Sequence, residues 1–153
     1  MTELHDKRGD RAEPAGSLAQ RVADRMLTND TATRSLGMHI VSVGPGRAEL
    51  TMRIRPDMLN GHGTCHGGFI FALADSAFAF ACNTHNYITV AAGCSIDYVR
   101  PALAGDLLTA TAEERALAGR SGVYDIQVVN ERGETVALFR GRSHRKQGHV
   151  VPE

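Results

Sequence analysis

The sequence predicts one α+β domain in which an antiparallel sheet curls around a single buried helix. The stretch at 67–83 is apolar almost all round, which is typical of a helix buried in the middle of a protein. Stretches before and after it alternate apolar and polar residues, as half-buried strands do. Helices and strands do not alternate along the chain, so parallel βαβ units are not expected.

The elements before the long helix begin with a tail. Residues 1–16 are polar and cannot bury enough apolar surface to offset the cost of ordering, so they are expected to form a mobile N-terminal tail. A short amphipathic helix is predicted from Ser17, its N-cap, to about Asn29, because apolar residues recur there at helical spacing. A linker through Gly37 then leads to two strands, at 38–43 and 47–53, on either side of a Gly-Pro-Gly turn.

A loop at 56–64 precedes the long helix, and four strand-like stretches follow it, at 88–100, 106–117, 122–129 and 135–145. The last two flank a turn at 130–133, which predicts a hairpin. The folded domain is therefore expected to span residues 17–147, with residues 148–153 as a C-terminal tail.

Composition excludes several classes of protein. Lys plus Arg and Asp plus Glu each number 17, so there is no basic excess of the kind that nucleic-acid-binding proteins carry, and no nucleic-acid partner is expected. The longest apolar run is interrupted by Asp75 and is too short to span a bilayer, so no membrane partner is expected. Three cysteines at irregular spacing argue against a disulfide framework, and Cys82 and Cys94 are expected to be small buried apolar residues. No signal peptide is evident, so a cytoplasmic location is expected.

Asp75 lies in the middle of the predicted buried helix. A lone ionised carboxylate is costly in an apolar interior, and aspartate is also a poor helix former, so its presence requires a reason. Either Asp75 faces solvent or makes a buried structural hydrogen bond, or it belongs to a functional site.

The tripeptide His66-Gly67-Gly68 opens the same helix. Two glycines let another molecule approach the backbone closely, and the first N–H groups of a helix lack intrahelical partners and lie at the positive end of its dipole. Such groups suit a polarised carbonyl or an oxyanion. Taken alone, the pattern is also that of a tight turn into a helix.

Gly67 and Asp75 cannot serve the same reacting carbonyl from one helix. They are eight residues apart, which corresponds to roughly 12 Å along a regular helix axis. A base or nucleophile and the oxyanion donors must lie within roughly 3 Å of the reacting centre. If both residues are catalytic, Asp75 of one protomer must meet Gly67 of another, at a symmetric interface with two equivalent sites.

The segments 59–68 (LNGHGTCHGG) and 73–78 (LADSAF) resemble the hotdog-fold acyl-CoA thioesterases, and in particular the phenylacetate-degradation (PaaI-like) branch. The similarity continues at 97–101, 105–106, 122–126 and 137–141, and covers about residues 28–145. The resemblance implies a hotdog fold, which is a long helix wrapped by an antiparallel sheet. It also implies self-association as a homodimer with a continuous sheet and as a homotetramer.

The resemblance also implies an activity and roles for single residues. The expected reaction is hydrolysis of acyl-CoA, with (hydroxy)phenylacetyl groups favoured, and no cofactor is expected because CoA is part of the substrate. Asp75 matches the catalytic carboxylate, the Gly67 N–H matches the donor to the thioester carbonyl, Asn60 matches a side chain that orients that carbonyl, and His66 matches a supporting histidine. Some neighbouring branches have a hydroxyl residue where this chain has Ala79.

Further residues are candidates for substrate binding. Gly68 offers close backbone approach, Arg100 and Arg145 are candidates for the CoA phosphates, and Ser121-Gly122 for backbone contacts to the pantetheine arm. Solvated charge near strand ends is the alternative for each arginine.

Several alternatives stay open at this stage. Asp75 acts either as a general base on water or as a nucleophile that forms a transient anhydride. A metal at His62, Cys65 and His66 is not expected, because no paired ligand spacing is present. Cys65 is not expected to act as a nucleophile with His66 as its base, because adjacent residues seldom face each other. A hotdog hydratase or dehydratase and a non-catalytic acyl-CoA-binding module are the competing functions.

Overall fold

The computed structural model describes residues 14–153. This range contains three α-helices: α1 (Ala15–Asn29), α2 (Thr31–Ser35) and α3 (Gly67–Asn83). The same residues form six strands: β1 (His39–Gly44), β2 (Arg47–Arg53), β3 (Tyr87–Tyr98), β4 (Leu107–Ala118), β5 (Ser121–Val129) and β6 (Thr135–His149). The strands make one sheet in the order β1-β2-β4-β5-β6-β3, and every pair of neighbours is antiparallel.

The sheet wraps around α3, which contacts all six strands. Leu73, Ala74, Ala77 and Phe78 are buried between the helix and the sheet. The other face of the helix is only partly covered, and it carries Phe71, Ala72, Asp75, Ser76 and Ala79. The predicted α+β architecture is confirmed, and α3 has the predicted bounds.

Strand β3 forms one edge of the sheet and pairs only with β6 among the described strands. Most of its side chains are exposed, including Val90 at 40% and Tyr98 at 52%. A long edge strand with apolar side chains is a template for pairing with another chain.

The structure corrects the predicted start of α1. The N-cap is Pro14 rather than Ser17, because the Pro14 carbonyl accepts hydrogen bonds from the Ser17 and Leu18 N–H groups. Residues 15–16 of the predicted tail are therefore helical, while residues 1–13 of that tail lie outside the described residues. The predicted linker contains the short helix α2, which the side chain of Asp30 caps by accepting from the Thr33 N–H.

The C-terminal segment also differs from the prediction. Strand β6 continues to His149, into the segment 148–153 that was predicted as a C-terminal tail, and Val151 in that segment is 7% exposed. The side chain of Asn86 holds it, because the Asn86 amide donates to the Val151 carbonyl and accepts from the Val151 N–H, at 3.0 and 2.9 Å. A 3-10 turn, Pro56–Met58, lies in the predicted loop.

The cysteines are free thiols, and one lies where it was not expected. Cys82 is buried as predicted, but Cys94 is exposed, because it lies on β3 at the edge of the sheet. In the part of the chain that the structure describes, no helix has both the length and the apolar content needed to cross a membrane.

Candidate active site

The start of α3 is fixed by the side chain of His66. His66 is the N-cap residue, and its Nδ1 accepts a hydrogen bond from the Gly68 N–H at 2.9 Å. The His66 N–H in turn donates to the Met58 carbonyl at 2.8 Å, which ties the cap to the preceding turn. The helix therefore begins at a defined place.

The two glycines of the motif differ in what their N–H groups do. The Gly68 N–H is used by the His66 side chain. The Gly67 N–H donates to no group within residues 14–153, and Gly67 is partly exposed. An unused N–H at the positive end of a helix dipole is suited to a polarised carbonyl oxygen. Gly67 is therefore the better candidate for this donor, and Gly68 is a capping position.

Asn60 organises the loop before the helix. Its side-chain carbonyl accepts from the His62 N–H at 2.9 Å and from the Thr64 N–H at 3.3 Å, and its Nδ2 donates to the Thr64 hydroxyl at 3.2 Å. Asn60 therefore shapes the 60–64 loop. Nδ2 has two hydrogens, and one of them makes no hydrogen bond within residues 14–153.

Asp75 is half-buried on the partly covered face of α3. No hydrogen bond or ion pair from residues 14–153 reaches its carboxylate, so the alternative of a structural hydrogen bond is not observed in that range. Burial raises the pKa of Asp75 above its ordinary value. A carboxylate in this state is a stronger base than one on the surface.

The structure does not bring Gly67 and Asp75 together within one chain. Both lie in the uninterrupted helix α3, eight residues apart, which corresponds to roughly 12 Å along the axis. In the folded chain, as in the sequence analysis, Gly67 and Asp75 can therefore act on one carbonyl only if they come from two different protomers.

A cleft of about 330 Å³ opens beside the first turn of α3, and we call it the Gly67 cleft. Its lining includes Gly67, Ile70, Tyr98 and Arg100. Arg100 is engaged on one side, where its guanidinium donates to the Thr135 carbonyl at 2.8 Å. The structure thus places the predicted substrate-binding residue Arg100 at the same cleft as the predicted carbonyl donor.

Tyr98 is a residue of this cleft whose role sequence reasoning missed. Its hydroxyl donates to the Gly67 carbonyl at 2.8 Å. In the sequence, the 97–101 segment, at the end of the predicted strand 88–100, stands out only by its family similarity.

The remaining candidates gather at a different place. Arg145 lines a second cavity of about 270 Å³, which we call the Arg145 cavity, together with Arg120 and Cys82. Ser121 and Gly122 pair with His144 and Ser143 on the adjacent strand β6, so they lie beside it. The Arg145 guanidinium stacks on the Tyr87 ring, 3.1 Å from its centroid.

Gly122 is buried beside β6, and its role in backbone contacts to the pantetheine arm stays a prediction. A Cβ at this position would lie 2.6 Å from the Ser143 hydroxyl oxygen and 2.9 Å from side-chain carbons of Leu117 and Tyr124. Packing explains the glycine.

A polar cluster beside the Arg145 cavity also escaped the sequence analysis. The Glu114 carboxylate accepts from the Tyr124 hydroxyl at 2.8 Å and lies 2.8 Å from His85 Nε2. Burial, followed by the neighbouring Glu114, raises the pKa of Tyr124 above its ordinary value. Glu114 continues the inward-facing series Leu108, Ala110 and Ala112 on β4, and a carboxylate in that apolar series was the available signal.

The remaining candidates from the sequence are the Cys65 thiol and a metal site. Cys65 is buried, which raises the pKa of its thiol to about 11, so it is not a thiolate at neutral pH. Within residues 14–153, no group of three His, Cys, Asp or Glu side chains is arranged to hold a metal ion.

An antiparallel sheet wrapped around one long helix, with His-Gly-Gly at the start of that helix, is the architecture of the hotdog-fold thioesterases. Residues 62–137 match the Thioesterase superfamily. The chain is 50% identical over 131 residues to acyl-coenzyme A thioesterase PaaI of Escherichia coli K12, covering 86% of this chain and 94% of the relative.

Solved structures agree with this match. The structure of the E. coli PaaI protein from the phenylacetic acid degradation operon superposes with a TM-score of 0.88 at 48% identity, over 89% of this chain and 99% of that one. A mutant of phenylacetic acid degradation protein PaaI from Thermus thermophilus superposes with a TM-score of 0.74 at 44% identity, over 76% and 100% of the two chains. The chain belongs to the hotdog-fold thioesterase superfamily, in the PaaI-like branch of acyl-CoA thioesterases.

Proposed function

We propose that this protein hydrolyses (hydroxy)phenylacetyl-CoA-type thioesters to the free acid and CoA, with Asp75 as the general base. Two groups on one helix carry the proposal. One is the half-buried Asp75 carboxylate, and the other is the Gly67 N–H at the start of the helix; neither has a hydrogen-bond partner within residues 14–153. These are the base and the oxyanion donor that acyl transfer to water requires.

The proposed reaction has two steps. Asp75 takes a proton from a water molecule, and the water oxygen attacks the thioester carbonyl carbon, while the Gly67 N–H stabilises the oxygen that becomes negative. The C–S bond then breaks, and the departing CoA sulfur takes the proton from Asp75. The raised pKa of Asp75 makes its carboxylate more basic, which suits it to accept this proton.

The site is formed by two copies of the chain. The eight-residue separation along α3 requires that Asp75 of one copy act with Gly67 of another. The open edge of β3, with exposed Ile88, Val90 and Tyr98, supports a homodimer built on this edge. A homotetramer of two such dimers and a cytoplasmic location remain predictions from the sequence.

The substrate class rests on the relatives and on the cleft. The E. coli relative is an acyl-coenzyme A thioesterase, and its structure is described as that of a protein from the phenylacetic acid degradation operon. The Gly67 cleft, of about 330 Å³, includes the aromatic ring of Tyr98 and the side chain of Ile70, which suit an aryl group.

The test is thiol release from a panel of acyl-CoAs. We expect phenylacetyl-CoA and hydroxyphenylacetyl-CoA to give the highest kcat/KM, ahead of acetyl-CoA and long-chain acyl-CoAs. Tight binding of every acyl-CoA without thiol release would contradict the proposal and favour a binding module. Preference for a straight-chain acyl group would contradict the aryl specificity but not the thioesterase activity.

A further inference from the structure

The peptide group between Gly67 and Gly68 is held from both sides. Its carbonyl accepts a hydrogen bond from the Tyr98 hydroxyl at 2.8 Å. Its N–H, which belongs to Gly68, donates to His66 Nδ1 at 2.9 Å. One contact comes from the helix cap and the other from the end of β3, 31 residues further along the chain. The peptide plane is therefore fixed by two independent parts of the fold.

The preceding peptide group, between His66 and Gly67, carries the Gly67 N–H that is proposed as the oxyanion donor. Its carbonyl, on His66, accepts from the Phe69 N–H at 3.0 Å. Its N–H is that of Gly67, which has no partner among residues 14–153. Because the neighbouring peptide is clamped, this N–H has a fixed direction before any substrate arrives, and such preorganisation is what makes an oxyanion donor effective.

Tyr98 also accounts for the glycine at position 67. A Cβ there would lie 3.0 Å from both Cζ and the hydroxyl oxygen of Tyr98, which is closer than side chains normally approach. The phenol ring therefore occupies the space beside the first turn of α3. Burial raises the pKa of Tyr98 above its ordinary value, so the hydroxyl keeps its donor proton through the neutral range.

We propose that Tyr98 is a positioning residue of the thioesterase reaction, which clamps the Gly67–Gly68 peptide so that the Gly67 N–H is aimed at the thioester carbonyl. This inference rests on the proposed function, because it assumes that the Gly67 N–H is the oxyanion donor. The Tyr98 hydroxyl acts through the backbone, while the ring of the same residue lines the Gly67 cleft.

The test is Tyr98→Phe, which removes the hydroxyl and keeps the ring. We expect kcat to fall about five- to tenfold, which is the factor that loss of one neutral hydrogen bond produces, with KM changed less than about twofold because uniform binding is retained. The matched control is Ser42→Ala on β1, which also removes one hydroxyl. Ser42 is exposed and its side chain makes no hydrogen bond within residues 14–153, so kcat of this variant should equal that of the wild type.

A second readout does not depend on activity. Labelling with ¹⁵N-glycine gives one amide signal for each of the 16 glycines. In Tyr98→Phe without substrate, the Gly68 ¹⁵N resonance should move upfield, because the carbonyl of its own peptide group loses a hydrogen bond. The Gly122 and Gly141 resonances should stay in place.

The outcomes separate the two proposals. A Tyr98→Phe variant with wild-type kcat and an unmoved Gly68 resonance, beside an inactive Asp75→Asn variant, would overturn the clamp and leave the proposed function standing. A fall in kcat with an unmoved Gly68 resonance would also overturn it, since Tyr98 would then act directly on substrate. Failure of the wild type to release thiol from any acyl-CoA would overturn the proposed function itself.

Discussion

The Nδ1 atom of His66 accepts a hydrogen bond from the Gly68 N–H at 2.9 Å, and this contact makes His66 the N-cap of the central helix. Histidine is not among the preferred capping residues, whereas asparagine is. His66→Ala should therefore lower the free energy of unfolding by about 0.5–2 kcal/mol, and His66→Asn should recover most of the loss. Thermal unfolding of the three proteins checks this, and equal midpoints for Ala and Asn would show that the cap contributes nothing.

The composite site predicts complementation between two inactive variants. Gly67→Pro removes the N–H proposed as oxyanion donor, and proline is tolerated at the first position of a helix. His66 has φ −59° and ψ 131°, an extended conformation that suits the residue before proline. Co-expression of the Gly67→Pro and Asp75→Asn variants should give about a quarter of wild-type activity. Half of the dimers are mixed, and each mixed dimer has one intact site of two.

The control for this experiment is Gly67→Ala. Its Cβ disturbs Tyr98 as proline does, since it would lie 3.0 Å from the phenol oxygen, but it keeps the N–H. We expect Gly67→Ala to retain more activity than Gly67→Pro. Inactive mixtures in which mixed dimers are demonstrated by a tag on one chain would contradict a site shared between chains.

Asp75 should reduce stability at neutral pH. Burial raises its pKa, so the folded protein binds this proton more tightly than the unfolded chain, and the free energy of unfolding falls as the pH rises through the raised pKa. Asp75→Asn removes the ionisation and should unfold at a higher temperature than the wild type at pH 7. Below the ordinary carboxyl pKa, at about pH 3, the two should unfold together. A lower midpoint for Asp75→Asn at pH 7, by scanning calorimetry, would contradict this.

Gly141 is required by the packing of Phe78. A Cβ at Gly141 would lie 2.7 Å from two ring carbons of Phe78, which is 1% exposed. Gly141→Ala should lower the free energy of unfolding by about 1–3 kcal/mol through overpacking. Gly44→Ala is the matched control, because Gly44 is also a strand residue and a Cβ there meets nothing within 4 Å. Equal midpoints for the two variants would show that Phe78 moves aside without cost.

The sequence predicted the elements whose pattern is local. The bounds of α3, Gly67–Asn83, and of β2, Arg47–Arg53, follow from apolar composition and alternation, and the structure has them as predicted. The end of β6 could not be predicted in this way, since it depends on Asn86, whose side chain binds Val151 from 65 residues away.

In the candidate site, too, local features could be predicted from the sequence and long-range contacts could not. Asp75 and Gly67 stood out because a carboxylate and a glycine pair are conspicuous in an apolar helix. The contact of Tyr98 with Gly67 joins two elements that only the folded sheet brings together, so no spacing in the sequence signals it. The distinction between the N–H groups of Gly67 and Gly68 likewise depends on the rotamer of His66.

The central claim is that the carboxylate of Asp75 performs the hydrolysis, and thiol release from phenylacetyl-CoA by Asp75→Asn tests it most directly. The control is Asp24→Asn, which changes an exposed helical aspartate on α1 in the same way. We expect Asp75→Asn to lose roughly 10²- to 10⁴-fold in kcat, with an unchanged oligomer size in light scattering, while Asp24→Asn keeps wild-type turnover. Wild-type turnover by a folded Asp75→Asn variant would contradict the account.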